Sequence, residues 1–452
     1  MSSTRTLSLL RDYESRNVTF IETDGSWPIV WERARGVHVW DAEGKKYLDL
    51  TAAFGVAAAG HANPRVVRAA QRQMTRLVHA MGDVHPHALK AKLARELSAI
   101  TFERWTGNQS KVGTKSKGSQ RGKTIFCNSG FEAVEAALKT SMLATGKPSV
   151  VAFKGGYHGL GYGALNATHR EHFRSPFRSQ LREFAVFVDF PGTGSESSSD
   201  DHLGLRTLNK LEGELSDLLS SGEIGAVLVE PIQGRGGINI PPETFLPLLR
   251  RLCDEHEALL ILDEIYTGFG RTGKWFACEH SETVPDLICL GKALTGGFPL
   301  SACVGRADWM DKAWPPSTGE AIHTSTYLGH PVGCAMALAQ IQEIRRLKLV
   351  ERSAKLGQSF LTGLRSVRSK QSPLKLSARG RGLLAGLEMR TQDGRPATET
   401  SFRVIKEMLR RGFILLPEGE HANIISFSPP LTISERQLFA ALKALEEAIC
   451  QK

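Results

Sequence analysis

The sequence predicts an α/β protein, with a mainly parallel central sheet flanked by helices and a smaller α+β domain beside it. Two observations carry that expectation. Between about residues 124 and 305, short continuous apolar runs alternate with segments of helical periodicity, the pattern of a parallel sheet covered on both faces. Outside that stretch the texture changes, to hairpin-like alternation near the start and to a helical, then mixed, pattern after about residue 335. The expected division has residues 1–60 contributing to the small domain, 61–335 forming the large domain and 336–452 completing the small one.

In chain order, Val37, Val39 and Trp40 precede a turn at Asp41-Ala-Glu-Gly44, and Tyr47, Leu48 and Leu50 follow it, as in a hairpin. Asn63-Pro64 reads as a helix cap with proline in the first turn, followed by Val67, Ala70, Met74 and Leu77 at helical spacing. Thr124-Ile-Phe-Cys127 is the first strand-like run and leads into a helix carrying Phe131, Val134, Leu138 and Met142. Ser149–Phe153, Ala226–Val229, Leu259–Leu262 and Leu287–Leu290 are further runs of the same kind. Toward the end, Gly380–Glu388 and Asn423–Phe427 look like strands, and Glu435–Ile449 like an amphipathic helix.

Composition narrows the function classes. No apolar stretch approaches the roughly 20 residues of a membrane span, and the start lacks the apolar core of a signal peptide, so a cytoplasmic location is the expectation. Seven scattered cysteines with no CxxC pair favour a reducing compartment over a disulfide scaffold or a metal site. The net charge of +10 raises the question of nucleic acid, but five of the positive charges lie in one polar stretch, 107–123, without interleaved aromatics. That stretch reads as a solvated surface loop, with contact to a polyanion as the alternative. Residues 192–201 read as a second surface loop. Neither a nucleic-acid nor a membrane partner is expected.

Ligands of a parallel sheet collect beyond the carboxyl ends of its strands, and there the chain places polar residues. The first run ends at Asn128-Ser-Gly-Phe-Glu-Ala, a small-residue turn opening a helix whose free N–H groups suit a phosphate. Others end at Glu230, at Asp263-Glu264 and at Gly291-Lys292. Phosphate site, carboxylate and lysine together describe pyridoxal 5′-phosphate: Lys292 holds the aldehyde as a Schiff base and later moves a proton, and Asp263 keeps the ring nitrogen protonated.

These motifs resemble those of the class III aminotransferases, enzymes of fold type I, over a stretch from about Gly36 to the C-terminus. The motifs are Asn128–Lys139, Gly155-Gly-Tyr-His-Gly159, Glu230-Pro-Ile-Gln-Gly234, Leu262–Gly273, the Lys292 segment and Thr324-Ser-Thr-Tyr-Leu-Gly-His-Pro331. The resemblance implies a large domain that binds the cofactor, with Lys292 and Asp263 as the catalytic pair. It implies that Tyr157 stacks on the pyridine, that Ser129, Gly130 and Phe131 surround the phosphate, and that His158, Glu230 and Gln233 lie nearby. Thr326 matches a threonine that reaches the phosphate of the neighbouring subunit, implying a homodimer with sites at the subunit interface.

Four positions depart from the family pattern. Leu160 and Ser426 stand where many members carry a carboxylate-binding arginine, Arg235 where a glutamate is frequent, and Tyr266 where glutamine is common. Tyr266 is expected to reach the cofactor's 3′-oxygen. Leucine and serine cannot replace a bidentate arginine, so either the donor lacks the usual two-carboxylate geometry or Arg235 supplies the anchor. The expected reaction is ping-pong transfer of an amino group from an ω-amino acid or other primary amine to pyruvate or 2-oxoglutarate. A racemase, epimerase or aminomutase of the same fold is the near alternative.

Overall fold

The computed structural model describes residues 1–109, 121–192, 201–367 and 374–451. Most of the basic stretch 107–123 and of the second expected loop, 192–201, lies outside the described residues. The centre is a seven-stranded sheet: β1 (Gly122–Cys127), β2 (Ser149–Phe153), β3 (Ala185–Val188), β4 (Ile224–Val229), β5 (Leu259–Asp263), β6 (Leu287–Leu290) and β7 (Ser301–Arg306). The spatial order is β1-β7-β6-β5-β4-β2-β3. Neighbours pair in parallel except at β7, which runs antiparallel to both β6 and β1. The carboxyl ends of the other six strands therefore share one edge. β4, β5 and β6 are buried along their whole length, which is why they read as continuous apolar runs rather than alternating ones.

The helix Gly130–Thr145 follows β1 and packs an alanine-rich face on the sheet, with Val134 and Leu138 buried as expected, whereas Met142 faces outward. Asn63 caps the helix Pro64–Met74, its side-chain oxygen accepting the N–H of Arg65 at 3.0 Å. The buried residues of that helix are Val66 and Ala70, while Met74 and Leu77 are exposed. Of the expected stripe only Ala70 is buried, with Val66 in place of Val67.

The N-terminal hairpin forms between His38–Asp41 and Lys46–Asp49, with Val39 opposite Tyr47. Asp41 shapes its turn by accepting the N–H groups of Glu43 and Lys45. Phe413–Ile414, far along the chain, extends this sheet in parallel beside Lys46–Asp49. A four-stranded antiparallel sheet is built from Leu374–Arg381, Leu384–Thr391, Ile424–Phe427 and Leu416–Glu418. Gly380–Glu388 is therefore two strands and a turn. Gly382 makes that turn at φ +58°, where a Cβ would meet the backbone of Thr272 at 2.3 Å. The closing helix, Glu435–Cys450, is capped reciprocally by Ser434 and Gln437.

Candidate active site

The carboxyl edge of the sheet opens into a cavity of about 440 Å3 lined by Gly130, Phe131, Tyr157, His158, Leu160, Glu230, Arg235, Asp263, Tyr266 and Lys292 among others. Loops leaving β1, β2, β4, β5 and β6 each contribute. Topology therefore brings together residues scattered over 163 positions of sequence, from Gly130 to Lys292.

Lys292 follows β6 directly and holds φ at +30°, a left-handed value that costs a lysine about 1–3 kcal/mol. Its ammonium lies 4.6 Å from the centre of the Tyr266 ring. Burial pushes its pKa down, and the charges of Asp263, Glu230 and Glu418 oppose that shift without cancelling it. A lysine so desolvated is disposed to lose its proton and act as a nucleophile.

Asp263 closes β5. One carboxylate oxygen accepts the N–H of Ile265 at 3.1 Å, and the other lies 2.8 Å from Nδ1 of His158. Burial alone would lower the His158 pKa, but its hydrogen bond to Asp263 and that residue's charge outweigh it, so the net shift is upward. Glu230, also buried, accepts the N–H groups of Tyr157 and Gly234 at 2.9 and 3.0 Å and so ties the loops after β2 and β4. Burial raises its pKa.

Across the cavity stands the first turn of the helix Gly130–Thr145. Among the described residues, the N–H groups of Gly130 and Phe131 have no acceptor, and the buried Ser129 hydroxyl has no partner. Glu132 accepts the N–H groups of Asn128 and Ser129. An orphaned buried hydroxyl beside free helix N–H groups is a cradle suited to an anion. With a desolvated lysine and a buried carboxylate on the same cavity, these residues fit pyridoxal phosphate.

Four expected residues do not line the cavity: Ser129, which stands behind Gly130 at the helix cap, Gln233, Ser426 and Thr326. Gln233 donates to the Lys154 carbonyl at 2.7 Å and accepts from Asn239 at 2.9 Å, so its amide closes the loop that presents Arg235. Ser426 is buried in its sheet and donates to the Leu416 carbonyl at 3.1 Å. Thr326 is exposed in a turn. Tyr266 lines the cavity with its ring, while its hydroxyl pairs with Ser428 at 2.9 Å. Leu160 is half-exposed at the mouth.

Arg235 lies over the rings of Tyr157 and Phe173, 4.9 and 5.9 Å from their centres. Its Nε is 3.8 Å from Oε2 of Glu418. Glu418 was not identified from sequence: it sits in a three-residue strand with no motif around it. Among the described residues no group of three or more His, Cys, Asp or Glu is placed to hold a metal ion, and no helix is long and apolar enough to cross a membrane.

The fold is that of a pyridoxal-phosphate-dependent transferase. Residues 20–449 match the family model described as Aminotransferase class-III, and the chain belongs to that family. It is 34% identical to the putrescine aminotransferase of Pectobacterium atrosepticum over 98% of this chain and 88% of that one. It is equally 34% identical to the 5-aminovalerate aminotransferase of Pseudomonas aeruginosa, over 93% of each chain. Among solved structures, an (S)-enantioselective omega-transaminase from Thermomicrobium roseum superposes with a TM-score of 0.86 at 26% identity, covering 99% of this chain and 98% of that one. These findings bear out the expected family, fold class, cofactor and enzyme class. The protein is an aminotransferase, an enzyme that uses an amine donor and an oxo-acid acceptor.

Proposed function

We propose that this enzyme moves an amino group from an ω-amino acid or another primary amine to pyruvate or 2-oxoglutarate in a ping-pong cycle. The observation that carries the reading is the meeting of Lys292 and the Asp263–His158 pair on one cavity beside the Ser129 cradle. When bound, the cofactor supplies an aldehyde that takes up the amine and a ring that draws electrons from the adjacent carbon.

The chain's own groups divide the remaining work. Lys292 Nζ would hold the cofactor's aldehyde and would carry the proton removed at the amine-bearing carbon of the donor. Asp263 would keep a proton on the ring nitrogen, and His158 holds the Asp263 carboxylate in place through their hydrogen bond. Gly130 and Phe131 offer N–H groups to the phosphate, and the Ser129 hydroxyl completes that site. Tyr157 flanks the ring, and Glu230 fixes the Tyr157 loop. Thr326, exposed on its own subunit, reaches the phosphate site of a partner in a homodimer working in the cytoplasm.

Two relatives, aminotransferases of putrescine and of 5-aminovalerate, support a donor that reacts through a terminal amine. Leu160, a leucine at the mouth, favours a small acceptor over a dicarboxylic one. A panel of amines assayed with pyruvate and with 2-oxoglutarate tests this reading. Parallel double-reciprocal lines and faster turnover of terminal amines than of α-amino acids are expected. Amino-acid racemisation with no need for an oxo acid would overturn it.

A further inference from the structure

Tyr266 stands where the family commonly has glutamine, and its polar end is turned away from the cavity. The Ser428 hydroxyl donates its one proton to the Thr51 carbonyl at 3.0 Å, so in the 2.9 Å contact between the two hydroxyls Tyr266 is the donor. Its hydroxyl therefore has no proton to offer a ligand in the cavity. Burial pushes the phenol's pKa up to about 12, so it stays neutral. What the cavity receives from Tyr266 is the ring alone.

The ring is bounded along both edges. A Cβ at Gly55 would come within 2.7 Å of its Cε2, and a Cβ at Gly234 within 2.3 Å of its Cδ1. A larger residue at either position would push the ring out of place. Gly55 ends the left-handed run from Ala52, and the buried Asp49 pins that run by accepting the N–H groups of Thr51 and Ala53 at 2.8 and 3.1 Å. Strain of this kind persists only where the surroundings enforce it. Lys292 borders the same glycine, its Cδ 3.8 Å from where the Cβ would stand. Its Nζ lies 4.6 Å from the ring centre, within the range at which an ammonium is drawn to an aromatic face.

We propose that Tyr266 is a positioning residue for Lys292, its ring face seating the positive charge that Nζ carries when it holds a proton. This rests on the role of Lys292 proposed above. When Nζ takes the proton from the donor's amine-bearing carbon, its lone pair forms the new N–H bond, and the electrons of the broken C–H bond pass to the cofactor. The charge so created on Nζ then lies over the ring. Asp263, Glu230 and Glu418 also face Lys292 and favour its charge, and Arg235 opposes it. A neutral ring adds its support without placing a further anion in a cavity that must admit the carboxylate of an oxo acid. A glutamine at this position offers no such face.

The test is a pH titration of the purified holoenzyme, read from the absorbance of the lysine-bound cofactor and not from turnover. Its midpoint reports how firmly Nζ keeps its proton. Tyr266→Leu should move the midpoint to lower pH by roughly one unit, a tenfold weaker hold on the proton. Tyr266→Phe keeps the face and loses the hydroxyl, so its midpoint should stay within about 0.3 of the wild type. Phenylalanines bearing one, two and three fluorines at position 266 keep the ring's shape while withdrawing electrons from its face, and the midpoint should fall with each fluorine. A ring that only fills space would leave it unchanged along that series. Equal midpoints across the fluorinated series, or a Tyr266→Leu midpoint within about 0.3 of the wild type, would overturn the proposal and leave the role of Lys292 standing. Lys292→Ala should abolish the lysine-bound band; if the band persists, that role falls and the proposal with it.

Discussion

Nδ1 of His158 lies 2.8 Å from Oδ2 of Asp263, and both side chains are almost wholly buried. The pair couples the loop after β2 to the end of β5, so Asp263 lines the cavity with one oxygen on His158 and the other on the Ile265 N–H. The first prediction concerns this pair. Asp263→Asn should lower kcat by about 10²-fold or more, the scale of a lost proton-transfer group. His158→Asn removes a hydrogen bond to a charged group, worth about 1.5–3 kcal/mol, and should lower kcat by roughly ten- to a hundredfold. Steady-state assays of both variants at saturating cofactor check the order.

Gly55 takes φ +81° at the end of a run, Ala52 to Gly55, in which every residue has positive φ. A Cβ there would meet the Tyr266 ring at 2.7 Å, on the side that carries Lys292. Gly55→Ala should therefore cost about 1–3 kcal/mol in stability and displace Tyr266 under the lysine. Urea unfolding and the position of the cofactor absorbance band report the two effects.

Arg235 is the one arginine on the cavity wall among the described lining residues, and Lys292 the one lysine. Losing a charge-assisted contact of about 1.5–3 kcal/mol, Arg235→Ala should raise KM for the oxo acid by roughly ten- to a hundredfold, with a smaller change in kcat. An unchanged KM for every carboxylate substrate would make its role that of an ion-pair partner only.

Glu418 has a pKa raised by burial from 4.5 to about 7. A raised acid keeps its proton in the folded state after the unfolded chain has lost it, so the wild type loses stability as pH rises from about 4.5 to about 7 and levels off above. Glu418→Gln mimics the protonated side chain and escapes that loss. The stability of the variant relative to wild type should thus grow across this window, by at most about 3 kcal/mol. Paired denaturant titrations at pH 5 and pH 8 measure it.

What the sequence made legible follows from burial. β4, β5 and β6 are buried on both faces, so their apolar runs stand out, and Glu230, Asp263 and Lys292 at or just beyond their ends could be placed on one edge. β3 escaped notice because it is a four-residue edge strand with one exposed position, and β7 because its serine, alanine and glycine blend into the turn before it. Glu418 gave no signal: its meeting with Arg235 depends on a contact between Gly419 and a loop nearly two hundred residues earlier. The direction of Tyr266 was likewise set from a distance, by Ser428, whose hydroxyl also donates to the Thr51 carbonyl.

The most direct test of the central claim is a single half-reaction. The purified holoenzyme is mixed with a terminal amine and no oxo acid, and the cofactor is then extracted and quantified. Transamination through Lys292 predicts one equivalent of pyridoxamine phosphate per active site, with the aldehyde form restored on adding pyruvate or 2-oxoglutarate. Recovery of all the cofactor as pyridoxal phosphate, with an amino-acid substrate inverted or rearranged instead, would contradict it.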